Sequence, residues 1–261
     1  MAAGTPPKPL DEIIGDLGPA SSGGASLTQR VLVRRPDGSE YKAHAKFTVD
    51  NAGAGIVEYS PWGAVAELVS SGLARAIAAP ACDYVVVLLP EGVDIRLRGD
   101  RQPAPGLAVA AQTILDAVDA IDGMLQGVDP ADLARIGMLH ALTQVGDHGG
   151  ANNHIRAGDP PRIYSVDHAS AFQAEHSGGT GPATLNLSAL LAPVLSATPA
   201  LLRTASAELA ALTDTTIADI IASVPRQFLP TDEARDRLRS ALSQRRDALP
   251  GVVAAQFPEE K

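Results

Sequence analysis

A chain of 261 residues can bury a sizeable core, but a formal net charge of −9 makes nucleic acid an improbable partner, because phosphate-binding surfaces need clustered Lys and Arg. The single cysteine, Cys82, excludes a disulfide framework and a cysteine zinc site. No apolar run reaches the ~18–20 residues of a membrane span, and the start MAAGTPPKPLDEIIG lacks the pattern of a signal peptide. Together these point to an acidic, soluble, cytoplasmic protein.

Residues 1–17 read as a flexible N-terminal segment, Pro-rich to residue 10, with a short apolar element at Ile13 and Ile14. GPASSGGAS at 18–26 is Gly- and Ser-rich: it is either a flexible linker or a loop whose backbone N–H groups cradle phosphates, although no Gly-Lys-Ser/Thr follows it. LTQRVLVRR predicts a strand, PDGS at 36–39 a tight turn, and EYKAHAKFTV at 40–49 the return strand. By period two, Lys42, His44 and Lys46 share one face of that strand, and Ala43, Ala45 and Phe47 the other. Lys46 is either an exposed edge residue or a buried ammonium in need of a phosphate or a carboxylate.

The segment 62–79 predicts a helix, with Val65, Leu68, Val69, Leu73 and Ile77 turned inward. Its one acidic residue, Glu67, either pairs with Lys46 or is solvated. DYVVVLLPEG at 83–92 is a continuous apolar strand suited to the centre of a sheet. The Pro/Gly-rich stretch 90–106 reads as a connection between lobes. Beyond it, 107–125 predicts a helix with Ile114, Leu115, Val118, Ile121 and Leu125 on one stripe. A further helix, capped by Asp129 with Pro130 at its first position, is apolar nearly all round and leads directly to Asp147. After a loop at 175–186, four helices are expected at 187–197, 199–212, 215–223 and 232–248, the last beginning after Thr231.

The chemistry concentrates at 146–172, GDHGGANNHIRAGDPPRIYSVDHASAF. Asp147 is followed five residues later by Asn152. A turn-forming GDPP then precedes the strand-like RIYSV, which ends at Asp167. A hairpin can bring its two polar ends to one point. The pattern suits phosphoryl transfer: Asp147 orients or deprotonates a hydroxyl, while the Asn152 carboxamide and the Asp167 carboxylate offer hard oxygen ligands to Mg²⁺. The catalytic loop of protein kinases has the same D-x-x-x-x-N spacing.

Taken in order, AKFTV at 45–49, AELVSSGLARAIAAP at 66–80, DHGGANNHI, YSVDHASAF, IIASVPRQFL and RLRSALSQRRDAL resemble the HipA-like kinases of bacteria, relatives of protein kinases and of phosphatidylinositol 3/4-kinases. The resemblance runs from about Ser22 to Val252, and the loop at 147–155 with the segment at 164–172 is its specific part. It implies an α+β, bilobal, protein-kinase-like fold. A small β-rich N-lobe would span 18–100, and a helical C-lobe 101–261 would carry the catalytic hairpin. It implies that Lys46 binds the α/β-phosphates, that Glu67 holds Lys46, and that the loop containing Ser22, Gly23 and Gly24 covers the phosphates. Asp147 would be the catalytic base or hydroxyl-orienting group, and Asn152 and Asp167 would hold Mg²⁺.

The implied activity is transfer of the γ-phosphoryl group of ATP to a hydroxyl acceptor, on the Ser or Thr of a protein in preference to a lipid or small molecule. Two departures from the family's pattern, His148 after the catalytic Asp and Ala169 in the D-H-G position, leave an inactive pseudokinase as an alternative, and Asn153 offers a second register for the amide ligand. A metal-dependent hydrolase built on His148, His154, Asp167 and His168 ranks below both, because it leaves the two asparagines without a task.

Overall fold

The computed structural model describes residues 9–20, 28–48, 60–97, 102–119, 127–145, 154–179, 181 and 199–258. The chain divides into two compact units, one formed by residues 1–60 and 84–113, the other by 61–83 and 114–261. Among the described residues, no helix is long and apolar enough to cross a membrane.

In the first unit, β1 (Asp11–Pro19), β2 (Thr28–Arg34), β3 (Glu40–Lys46), β4 (Tyr84–Leu89) and β5 (Gly106–Gln112) close into a barrel in the order β1-β2-β3-β5-β4. All pairings are antiparallel except the closing one, where β1 runs parallel to β4 at Asp11–Val87 and Glu12–Leu88. Register shifts between Ile13 and Gly15 and between Asp16 and Gly18 bend β1, as an extra residue in one strand does. The interior is built from alternate residues, among them Ile13, Val31, Val33, Ala43, Ala45, Val87, Ala108 and Ala110. A five-stranded barrel encloses little space, which is why alanine recurs on its inner face. Ile95 and Leu97 also join this core.

Asp16 fastens that unit. Its carboxylate accepts hydrogen bonds from Gly18 N at 2.7 Å, Gln29 Nε2 at 2.5 Å and Arg96 N at 2.9 Å. Burial pushes the Asp16 carboxyl up, but the three donors outweigh it and hold its pKa below the usual value. The predicted PDGS turn is present: Arg35 N bonds Ser39 O at 2.8 Å, and Asp37 accepts from Ser39 N at 2.9 Å.

Two sequence expectations are corrected. Residues 11–17, expected within a flexible N-terminal segment, form most of β1. Of the helix expected at 107–125, the described part is instead β5 followed by the short β6 (Val118–Asp119), and Leu115 and Val118, assigned to its buried stripe, are exposed, while Ile121 and Leu125 lie outside the described residues. In LAVAA the high helix propensity of alanine yields to burial on both faces of a strand, a tertiary override.

The second unit is mainly helical. Helix α1 (Pro61–Ala76) is buried along most of its length, and α2 (Pro130–Thr143) is capped by Asp129, whose side chain accepts from Ala131 N at 2.9 Å. β6, β7 (His154–Ala157) and β8 (Arg162–Ser165) form an antiparallel sheet in that order. The chain continues as α3 (Gln173–His176), α4 (Pro199–Ala210), α5 (Asp214–Ala222) and α6 (Asp232–Gln256). The last helix begins at its predicted Thr231 cap and runs past the expected end at 248, through Pro250. Its Arg245 is fully buried in an ion pair with Glu175 of α3, and it also donates to Leu142 O at 3.0 Å and Gly181 O at 3.2 Å. One arginine therefore ties α6 to α3 and to the end of α2.

Candidate active site

Asp167 lies two residues past the end of β8 and has φ of +57°, an uncommon left-handed conformation for an L-residue, although one that Asp tolerates better than most, and its surroundings enforce it here. The enforcement is visible on both sides. Ser165 donates its backbone N–H to Pro80 O at 3.1 Å and accepts from Cys82 N at 2.9 Å. Its hydroxyl lies 2.7 Å from Nε2 of His140 on α2 and 3.0 Å from Nε2 of His168. On the far side, His168 N donates to Glu67 Oε2 of α1 at 3.0 Å. Ser165, His140, His168 and Glu67 are all buried. Polar groups so deep are costly unless hydrogen-bonded, so the network fixes this segment in one arrangement.

The fastening continues. Ala171 N bonds His168 O at 2.9 Å, Trp62 Nε1 of α1 donates to Ala171 O at 3.3 Å, and Phe172 N donates to Thr143 O at 3.1 Å. Phe172 is fully buried and also left-handed, with φ of +60°. Thr143 is the last residue of α2, and its hydroxyl bonds back to Leu139 O at 2.9 Å. The end of α2, which leads toward Asp147 in sequence, is thus joined to the segment that carries Asp167.

A hydroxyl has one proton. Ser165 therefore donates to one of its two imidazoles and accepts from the other, so His140 and His168 hold opposite roles at Nε2. Nδ1 of His168 lies 3.8 Å from Glu67 Oε2. A proton at Nδ1 of His168 is favoured by that carboxylate, which leaves its Nε2 as acceptor and His140 as donor.

Lys46 belongs to the barrel unit. It ends β3, pairs with Val109 of β5, and points away from the barrel core; its ammonium lies 5.6 Å from the centre of the Tyr84 ring. Along that face of β3 burial deepens from exposed Lys42 through half-buried His44 to Lys46, only 3% exposed. Val109, Ala111 and Tyr84 beside it are buried as well. Lys46 is therefore the buried ammonium, not the edge residue.

Of the residues assigned to the kinase site, Lys46, Glu67 and Asp167 are described, the first in one unit and the other two in the second; His154, His168 and Ala169 are described as well, in the second. Ser22, Gly23, Gly24, Asp147, His148, Asn152 and Asn153 lie outside the described residues. Among the described residues no group of three or more His, Cys, Asp or Glu gathers as a metal centre, and His168 turns its ring to Ser165 and Glu67. Sequence reasoning missed Ser165 and His140. The one available signal for His140 was its place in the apolar run of α2, where a buried polar side chain needs a partner.

No protein-family model matches the sequence, and no curated protein matches it. Solved structures do. The proinflammatory kinase CtkA of Helicobacter pylori matches with a TM-score of 0.60 at 10% identity, over 95% of this chain and 98% of that one. The Golgi casein kinase matches with a TM-score of 0.52 at 9% identity, over 96% of this chain and 74% of that one. At such low identity the likeness concerns the path of the chain alone. The protein has an α+β, kinase-like fold.

Proposed function

We propose that the protein is a HipA-like kinase that transfers the γ-phosphoryl group of ATP to a hydroxyl acceptor, a protein Ser or Thr being preferred. In this reading residues 18–100, with the helix that carries Glu67, make the N-lobe and 101–261 the C-lobe. The observation that carries the reading is the bracing of Asp167: a carboxylate on a left-handed residue, held between Ser165 and the Glu67–His168 bond, at the end of a strand in a kinase-like fold. A carboxylate presented on so fixed a backbone fits a divalent ion, because hard oxygen donors suit Mg²⁺ and a rigid mount keeps their geometry.

In this scheme Asp167 and Asn152 hold Mg²⁺, which when bound neutralises the charge on the transferred phosphoryl group. Lys46 would bind the α/β-phosphates, Glu67 would have the role of holding Lys46, and the 22–26 loop would cover the phosphates. Asp147 receives the proton of the acceptor hydroxyl as its oxygen bonds to the γ-phosphorus. The bond to the β,γ-bridging oxygen breaks and ADP leaves. Most of the rate comes from holding the two reactants in line.

The test is thermal stability with ATP, with and without Mg²⁺, in wild type and Asp167→Ala. A Mg²⁺-dependent stabilisation that Asp167→Ala abolishes is the expected result. No response to any nucleotide in wild type overturns the proposal. Transfer from γ-labelled ATP, lost in Asp147→Asn while binding persists, separates the kinase from a nucleotide-binding pseudokinase.

A further inference from the structure

Ser165 makes four polar contacts and has no exposed surface. Its backbone bonds to Pro80 and Cys82 hold the end of β8, and pairing with β7 needs neither the hydroxyl nor the imidazoles. The hydroxyl's two partners come from different elements, His140 from the last turn of α2 and His168 from the residue just beyond Asp167, and their rings meet edge to face with centroids 5.9 Å apart. Asp167 is therefore spanned by a side-chain bridge between Ser165 and His168, and that bridge is anchored on α2. Left-handed φ is the less favourable choice even for an aspartate, so a bridge across it favours the observed conformation and with it the placement of the carboxylate.

We propose that Ser165, acting through His140 and His168, is a positioning residue that sets the conformation of Asp167 and with it the site's affinity for the divalent ion that accompanies the nucleotide. The proposal rests on Asp167 being the metal-holding carboxylate of the kinase reading. Groups that orient a metal ligand from behind govern affinity by about 10- to 100-fold without touching the ion.

The experiment titrates Mg²⁺ at fixed ATP and follows the thermal shift of the full chain, in wild type, Ser165→Ala, His140→Gln and Asp167→Ala. The expected result is a rise of about 10- to 100-fold in the half-saturating Mg²⁺ concentration for Ser165→Ala, with the metal-free response to ATP unchanged. The His140→Gln carboxamide can still donate to Ser165, and its midpoint stays near that of wild type. Where Ser165→Ala does not fold, His140→Leu replaces it, leaving the hydroxyl to His168 alone, and its midpoint also rises. An unchanged midpoint in the folded variant, beside a lost metal response in Asp167→Ala, overturns the positioning role and leaves the kinase reading standing. A wild type with no Mg²⁺ dependence overturns both.

Discussion

Glu67 on α1 accepts the backbone N–H of His168 through Oε2 at 3.0 Å. The carboxylate is fully buried, and the amide it satisfies is the one immediately after Asp167. An acidic residue whose spacing left it either a lysine's partner or a solvated group is instead seen to hold the backbone beside the proposed metal ligand. Glu67→Ala leaves that amide buried without its acceptor and is expected to cost about 2–3 kcal/mol, the scale for a hydrogen bond to a charged group. Glu67→Gln keeps an acceptor and is expected to cost less. Urea denaturation of both variants measures the difference, and equal losses would remove the amide from the account.

Arg245 and Glu175 form an ion pair with both side chains buried. Arg245→Met strands the Glu175 carboxylate and is expected to destabilise by about 3–5 kcal/mol. Combining it with Glu175→Leu removes the stranded charge and should recover much of the loss, so chemical denaturation of the two singles and the double should be strongly non-additive. Additive losses would mean that the pair does not act as a unit.

Gly72 of α1 faces α5 so closely that a Cβ would lie 2.7 Å from Cγ2 and 3.2 Å from Cγ1 of Ile220. Ile220 is β-branched and cannot swing aside cheaply. Although alanine is the better helix former, Gly72→Ala is expected to destabilise by about 1–3 kcal/mol through overpacking. In the Ile220→Ala background the same change should become neutral or favourable. A thermal melt of the four variants decides it.

His44 lies opposite Arg30 in the β2–β3 ladder. Burial, and then the Arg30 charge, push its pKa below the ordinary value of 6.5. Below 6.5 the unfolded chain binds the proton more readily than the folded one. Stability therefore rises with pH through the window between the depressed folded pKa and 6.5, and is lost as pH falls through it. His44→Gln should flatten the urea midpoint measured across that window. Asp16 does not blur the result, because its depressed pKa places its own loss of stability below its ordinary value of 3.8.

The sequence carried the local elements well where a single signal dominated. Asp129 with Pro130, Thr231 with its acidic first turn, and the PDGS turn all stand where capping and turn chemistry put them. The period-two face of β3 was legible too, although not how deeply Lys46 sinks into it. LAVAAQ was not legible, because alanine reads as helix until a closed barrel demands a small inner residue. Nor was the Ser165 bridge, whose partners His140 and His168 come together only through the packing of α2 against β8. Spacing finds groups that do chemistry. Groups that hold them still are scattered along the chain and become visible only in three dimensions.

The barrel's closing ladder joins residues 11 and 12 to 87 and 88, and its fifth strand ends at 112. The chain between β3 and β4 holds α1, which belongs to the other unit. This is high contact order in a small sheet, and such long-range pairings form slowly because the entropy of closing the intervening loop is lost before the contacts repay it. On the ribosome, β1 through β3 emerge as an open meander with both edges unpaired. The β1 edge stays open until residues 87 and 88 have been made and the β3 edge until residue 112, and each is an aggregation hazard for that interval.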